Sequence, residues 1–107
     1  MEELDVVRAL GALAHESRLR VFRLLVQAGP HGVPAGQLAE TLQVPPSSLS
    51  FHLKELSYAG LVHTRQESRF IFYVANYTSM DGLIHYLTQN CCGVDQPPSP
   101  CCEKEQP

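Results

Sequence analysis

The stretch that decides the fold runs Gln37-Leu38-Ala39-Glu40-Thr41-Leu42-Gln43-Val44-Pro45-Pro46-Ser47-Ser48-Leu49-Ser50-Phe51-His52-Leu53-Lys54. Leu38 and Leu42 stand four apart, as on one face of a short helix. Gln43 to Pro46 read as a turn. Proline is tolerated at the first position of the next helix, where its missing N–H is not needed. That helix runs from Ser47 to Ala59 and is closed by Gly60 just beyond its end. A short helix, a tight turn and a longer helix make a helix-turn-helix.

The flanks complete the pattern. Downstream, Leu61 to Arg65 and Arg69 to Val74 are rich in β-branched and aromatic residues, with Gln66-Glu67-Ser68 between them. This spacing predicts a β-hairpin, and a hairpin directly after the second helix is a wing. Upstream, Leu4, Val7, Leu10 and Leu13 recur at helical spacing, and Ser17 is placed to cap a second helix that ends at Ala28-Gly29-Pro30. His31 to Pro34 read as a short extended link. Thr78 opens a last helix with Met80, Leu83, Ile84 and Leu87 as its apolar stripe. The expected fold is mainly α: a winged helix-turn-helix of five helices with a two-stranded hairpin wing. Residues 1–93 are expected to form one domain, for DNA binding and dimerisation. Residues 94–107, rich in Pro, Glu and Gln, form a flexible cysteine-containing tail.

On a helical wheel of residues 47 to 60, Leu49, Leu53 and Leu56 share the core side. Ser47, Phe51, Lys54 and Tyr58 point the other way, flanked by Ser48 and Ser50. Outward residues at the start of such a helix reach base edges in the major groove. Ser47, Ser48 and Ser50 can donate or accept there, and Phe51 can meet a thymine methyl. Lys54 lies further along and suits phosphate. His52 falls on the margin of the core face, where packing competes with base contact. Arg65 and Arg69 bracket the wing turn, placed for backbone or minor-groove contact.

The chain has 107 residues and a formal charge of −3, which by itself disfavours a DNA partner. The acids, however, gather at the two ends. Between residues 8 and 90, seven Lys/Arg stand against five Asp/Glu, a weakly basic balance that permits duplex binding. No apolar run approaches membrane-spanning length, and the acidic start lacks the basic and apolar regions of a signal peptide. A cytoplasmic location is expected. With no nucleophile–base pair, phosphate loop or carboxylate dyad, neither an enzyme nor a catalytic cofactor is expected.

All four cysteines fall in the last 17 residues, as Cys91-Cys92 and Cys101-Cys102. Thiols in the cytosol stay reduced, and adjacent cysteines bridge each other only with strain. Soft thiolates select thiophilic centres. Trivalent arsenic and antimony take three sulfurs in a pyramid, whereas zinc and cadmium take four in a tetrahedron. Four cysteines satisfy either geometry. Asp81 and His85 share a helix face at i, i+4 but lack a second pair, and they read as surface or interface residues.

The chain resembles the ArsR/SmtB family of metal-responsive repressors over roughly residues 6 to 90. The resemblance is carried by Leu10-Gly11-Ala12-Leu13-Ala14-His15-Glu16-Ser17-Arg18-Leu19-Arg20, by Ser47 to Lys54, by Ala59-Gly60-Leu61-Val62, and by the wing from Arg65 to Arg69 with Phe72-Tyr73. It implies a homodimer joined through the first and last helices, bound to double-stranded operator DNA and released by a metal or metalloid. The two apolar stripes also fit a dimer seam. Many family members carry a cysteine pair in the helix before the turn, but Val33 to Leu38 here contain none. Pro46 and Phe51 differ from the commoner polar residues, which points to a different operator. The family includes arsenical repressors with an adjacent cysteine pair ending the last helix and a third cysteine downstream. The resemblance therefore implies As(III) or Sb(III) as inducer, on Cys91, Cys92 and either Cys101 or Cys102. A Zn(II)/Cd(II) sensor using all four thiols and a thiol redox sensor are the alternatives.

Overall fold

The computed structural model describes residues 1–93. Cys101, Cys102 and the rest of the expected tail lie outside the described residues. The element order is α1 (Glu3–Leu13), α2 (Glu16–Ala28), β1 (Val33–Pro34), α3 (Ala35–Leu42), α4 (Pro46–Tyr58), β2 (Val62–Glu67), β3 (Phe70–Ala75) and α5 (Tyr77–Thr88). A single 3₁₀ turn, Cys91–Gly93, follows. The winged helix-turn-helix with five helices is therefore the fold.

The turn between α3 and α4 is made by Gln43, which adopts the left-handed conformation at φ 55° and ψ 47°. That reversal lets the Val44 N–H reach the Ala39 carbonyl at 3.1 Å and satisfies an end of α3. Pro46 then opens α4 at a position that needs no N–H. Leu38 of α3, Leu49 and Leu56 of α4, Leu25 of α2 and Leu61 after α4 are all fully buried. They form the centre against which the helices and the sheet pack.

The sheet has one strand more than a two-stranded hairpin. The expected link at residues 31–34 contributes β1, which pairs antiparallel with β3 through Val33↔Tyr73 and Pro34↔Phe72. The strand order is β1-β3-β2. Gly32 makes the close approach possible. At φ +83° it holds a conformation that favours glycine, and a Cβ there would stand 2.7 Å from the Tyr73 carbonyl oxygen. Two residues of extended chain are too short for period-2 patterning to register.

Two helix starts also differ from expectation. His15, not Ser17, is the N-cap of α2, its Nδ1 accepting the Ser17 N–H at 3.2 Å. Asn76 caps α5, which begins at Tyr77 rather than Thr78. Asn76 Oδ1 accepts from the Ser79 N–H at 3.2 Å, while its side-chain amide donates to the Gly60 carbonyl at 3.0 Å.

Helix α1 turns a different face inward from its leucine stripe. Val6, Ala9 and Ala12 are buried, while Leu4 and Val7 are each 57% exposed and Leu10 is also exposed. Small alanines let α1 lie close on its neighbours and leave the larger side chains outside. Helix α5 behaves likewise: Leu83 enters the core, and Ile84 and Leu87 stay out.

The glycine contrast gives a stability test. Gly32→Ala meets both the left-handed backbone and the Tyr73 carbonyl, and should destabilise the protein by roughly 2–3 kcal/mol. Gly36→Ala, inside α3 with open space around it, should stabilise it by up to ~1 kcal/mol. Urea unfolding of the two variants measures both.

Candidate nucleic-acid interface

Leu49, Leu53 and Leu56 are buried along one side of α4, as their spacing requires. Ser47, Ser48, Ser50, Phe51 and Lys54 are consequently exposed together on the other side, with Tyr58 at its end. Phe51 is 53% exposed, an aromatic ring presented on the outer face of the helix. The Lys54 ammonium lies 5.7 Å from the Tyr58 ring centroid, so cation and ring line the same surface.

His52 is turned the other way. It is buried, and its Nδ1 accepts from Arg18 Nε at 3.3 Å. The His15 ring packs beside it, centroids 4.8 Å apart. His52 is thus a packing residue between α2 and α4 and does not join the exposed face. Arg65 is half-buried and engaged within the protein. Its Nε donates to the His31 carbonyl at 2.8 Å, its Nη1 pairs with Glu67 at 2.9 Å, and its guanidinium lies 4.4 Å from the Phe72 ring centroid. The Arg65 hydrogen bond and charge hold the exposed Glu67 carboxyl below the usual carboxylate range. Arg65 ties the wing to the segment before β1. Arg69, at the wing tip, is exposed and forms no ion pair among the described residues.

The arrangement is a convex helix with hydroxyl, aromatic and cationic side chains, next to a β-ribbon with a cation at its tip. The family profile described as a helix-turn-helix domain matches residues 13–65. The transcriptional activator HlyU of Vibrio cholerae is 33% identical over 87 residues, covering 81% of this chain and 78% of that protein. The chain belongs to the ArsR/HlyU type of DNA-binding transcriptional regulators.

Solved structures agree. An ArsR-like transcriptional regulator from Rhodococcus sp. RHA1 matches with a TM-score of 0.71 and 26% identity, over 78% of this chain and 76% of its own. A possible transcriptional regulator for arsenical resistance matches at 0.64 and 29%, over 74% and 79%. The homodimeric winged helix-turn-helix domain of Mb0332 from Mycobacterium bovis, a possible ArsR-family regulator, matches at 0.63 and 26%, over 78% and 77%. The relatives named are regulators rather than enzymes. Among the described residues of this regulator, no helix is long and apolar enough to cross a membrane.

The second candidate site lies at the far end of α5. Cys91 and Cys92 occupy the 3₁₀ turn, with their sulfurs 3.6 Å apart. Two thiolates on one tetrahedral zinc-sized centre stand about 3.8 Å apart, given a metal–sulfur distance near 2.3 Å. Cys92 is disulfide-bonded in this structure, so the spacing suits one thiophilic centre only once both sulfurs are reduced thiolates. Among the described residues no three His, Cys, Asp or Glu gather as a metal site. Asp81 and His85 are exposed on α5. Two of the expected sulfurs are brought together, and the other two lie outside the described residues.

Arg18 is the residue of this region that sequence reasoning passed over. It sits 34 positions from His52, and helical periodicity says nothing about such a pair.

The His52 environment sets a pH dependence. Burial first, then the charges of His15 and Arg18, hold its imidazole below the ordinary histidine range. In the unfolded chain the ring takes its proton near pH 6.5. Just below that pH the unfolded chain binds a proton that the folded chain does not, so stability falls as pH falls. The urea midpoint should be lower at about pH 5.5 than at about pH 7.5, and His52→Asn should narrow that difference.

Proposed function

We propose that this regulator is a homodimeric repressor of an arsenic-resistance operon, released from its operator when As(III) or Sb(III) binds Cys91, Cys92 and one thiol of Cys101 or Cys102. The observation that carries the reading is the 3.6 Å separation of the Cys91 and Cys92 sulfurs at the end of α5. The solved neighbour described as a possible regulator for arsenical resistance supports the same direction.

The dimer is supported by the faces that the protomer leaves uncovered. Leu4, Val7 and Leu10 of α1 and Ile84 and Leu87 of α5 are exposed apolar residues on the first and last helices. A large uncovered apolar area on a small domain marks an interaction surface, and the Mb0332 domain is described as homodimeric. A two-fold seam here sets the spacing of two α4 helices against DNA half-sites about one turn apart.

Inducer binding at the end of α5 acts on that seam. The metalloid draws the third cysteine onto the end of the dimer helix and changes the spacing of the two α4 helices. A coupling of about 1–3 kcal/mol lowers operator affinity roughly 5–150-fold, and operator DNA must weaken As(III) binding by the same factor.

In a fluorescence titration of reduced, DNA-bound protein, As(III) and Sb(III) should release the duplex. The Cys91→Ser/Cys92→Ser double variant should stay bound, and release of that variant by As(III) sinks the reading. Release by Zn(II) or Cd(II) instead supports the four-thiol sensor, and release by peroxide alone supports a redox sensor. Because HlyU is named an activator, a reporter assay should accompany the titration; expression rising with As(III) and in a deletion strain is the repressor outcome.

The seam has its own test. Val7→Glu and Ile84→Glu place charges on exposed apolar positions and leave the protomer core intact. Sedimentation equilibrium should show monomers with wild-type helix content, and dimers of unchanged affinity would exclude this surface as the seam.

A further inference from the structure

Arg18, in the first turns of α2, is half-buried and makes two contacts with the recognition helix. Its Nε donates to His52 Nδ1 at 3.3 Å, and its guanidinium carbon lies 5.4 Å from the centroid of the Phe51 ring. The Phe51 and His52 rings are themselves 6.1 Å apart. One cation therefore touches two successive residues of α4, one facing outward and one facing inward.

The chemistry of the first contact is one-directional. An arginine carries only donors and keeps its charge. His52 must accept, so Nδ1 is unprotonated and the ring proton resides on Nε2. This tautomer follows from the partner. A second proton on the ring would aim an N–H at the guanidinium and set two cations side by side. Among the described residues no acidic group acts on the ring to relieve that. Among the described residues the charges that bear on His52 are His15 and Arg18. His15 is committed as an acceptor to the Ser17 N–H. Arg8 of α1 and Glu55 of α4 line the adjoining cleft with Arg18, and α3 and β2, which also pack on α4, add no charge that acts on the ring.

The second contact concerns Phe51. An exposed phenylalanine on a helix surface samples more than one rotamer. A cation against its face favours one of them, and holding a contact residue in its bound orientation reduces the ordering cost of binding.

We propose that Arg18 is a positioning residue for DNA reading: from α2 it holds Phe51 and His52 together, so that α4 presents Phe51 to the major groove in one orientation while His52 is unprotonated. The proposal rests on the assignment of the exposed α4 face to DNA. It adds a determinant of sequence preference that itself touches no base.

The test uses the full chain and the duplex that the wild-type protein enriches most from a random pool, with a shuffled duplex of the same composition as reference. Arg18→Met keeps a flexible helix-forming side chain and removes both contacts. Affinity for the enriched duplex should fall about five- to tenfold, with affinity for the shuffled duplex within about twofold of wild type. Arg18→Lys, which keeps a cation over Phe51, should recover part of the loss. A wild-type ratio of enriched to shuffled binding in Arg18→Met overturns the proposal.

A pH arm separates positioning from plain packing. As pH falls from about 7.5 to below the ordinary histidine range, where the folded ring takes its proton, the wild-type protein should lose more of its preference than His52→Asn, whose Oδ1 replaces Nδ1 as an acceptor that does not titrate. Equal losses overturn the proposal. In DNA-free protein the NMR titration midpoint of His52 should rise on Arg18→Met, and an unmoved midpoint removes the Arg18–His52 link. Failure of the wild type to enrich any duplex removes the DNA assignment of α4 and this proposal with it. A preserved ratio in Arg18→Met removes this proposal alone.

Discussion

Burial of Leu49, Leu53 and Leu56 on one side of α4 is the constraint from which the interface follows. A helix has no freedom to choose its outer face once its inner face is set. Those three leucines pack among Leu25, Leu38 and Leu61, and the geometry of 3.6 residues per turn then puts Ser47, Ser50, Phe51 and Lys54 outside. The core is in this sense the device that aims the exposed side chains of α4. It also explains why the turn at Gln43 tolerates a left-handed residue other than glycine. The turn's geometry is held from both sides by buried leucines of α3 and α4.

Much of this was legible from residue order alone. Five helices and the wing hairpin follow from periodicity and from the prolines and glycines between them, because those signals are local. What stayed hidden depends on residues far apart in the chain. Periodicity marks an apolar stripe on α1 but cannot say whether the protomer or a partner covers it. The inward face proved to be Val6, Ala9 and Ala12. His52 sits on the boundary of its helical wheel, and only the presence of Arg18 and His15 draws it inside.

The two wing arginines show the same limit. Arg65 and Arg69 are symmetrical about the turn in sequence, and both suit a phosphate. In three dimensions Arg65 faces Phe72 across the β2–β3 ladder and reaches His31, whereas Arg69 stands at the open tip. The difference arises because β1 adds a third strand beside β3, and the segment before it offers Arg65 a carbonyl. A strand of two residues carries no pattern, so this distinction has no signature in the sequence. The cysteines divide in a similar way. Their clustering near the end of the chain was plain, but the joint placement of Cys91 and Cys92 depends on how the chain leaves α5, with Asn90 and Cys92 both at positive φ.

Asn76 carries a mechanical consequence. Its backbone N–H bonds the Leu61 carbonyl at 2.8 Å, its amide bonds the Gly60 carbonyl at 3.0 Å, and its Oδ1 holds the first turn of α5. The residue is a rivet through three parts at once: the end of α4, the root of the wing and the start of α5. A lever transmits torque only if its pivot has no play. With this pivot, the start of α5, the root of the wing and the end of α4 are joined through one residue rather than through a free loop. The same residue therefore fastens the start of the last helix to the end of α4 and the root of the wing.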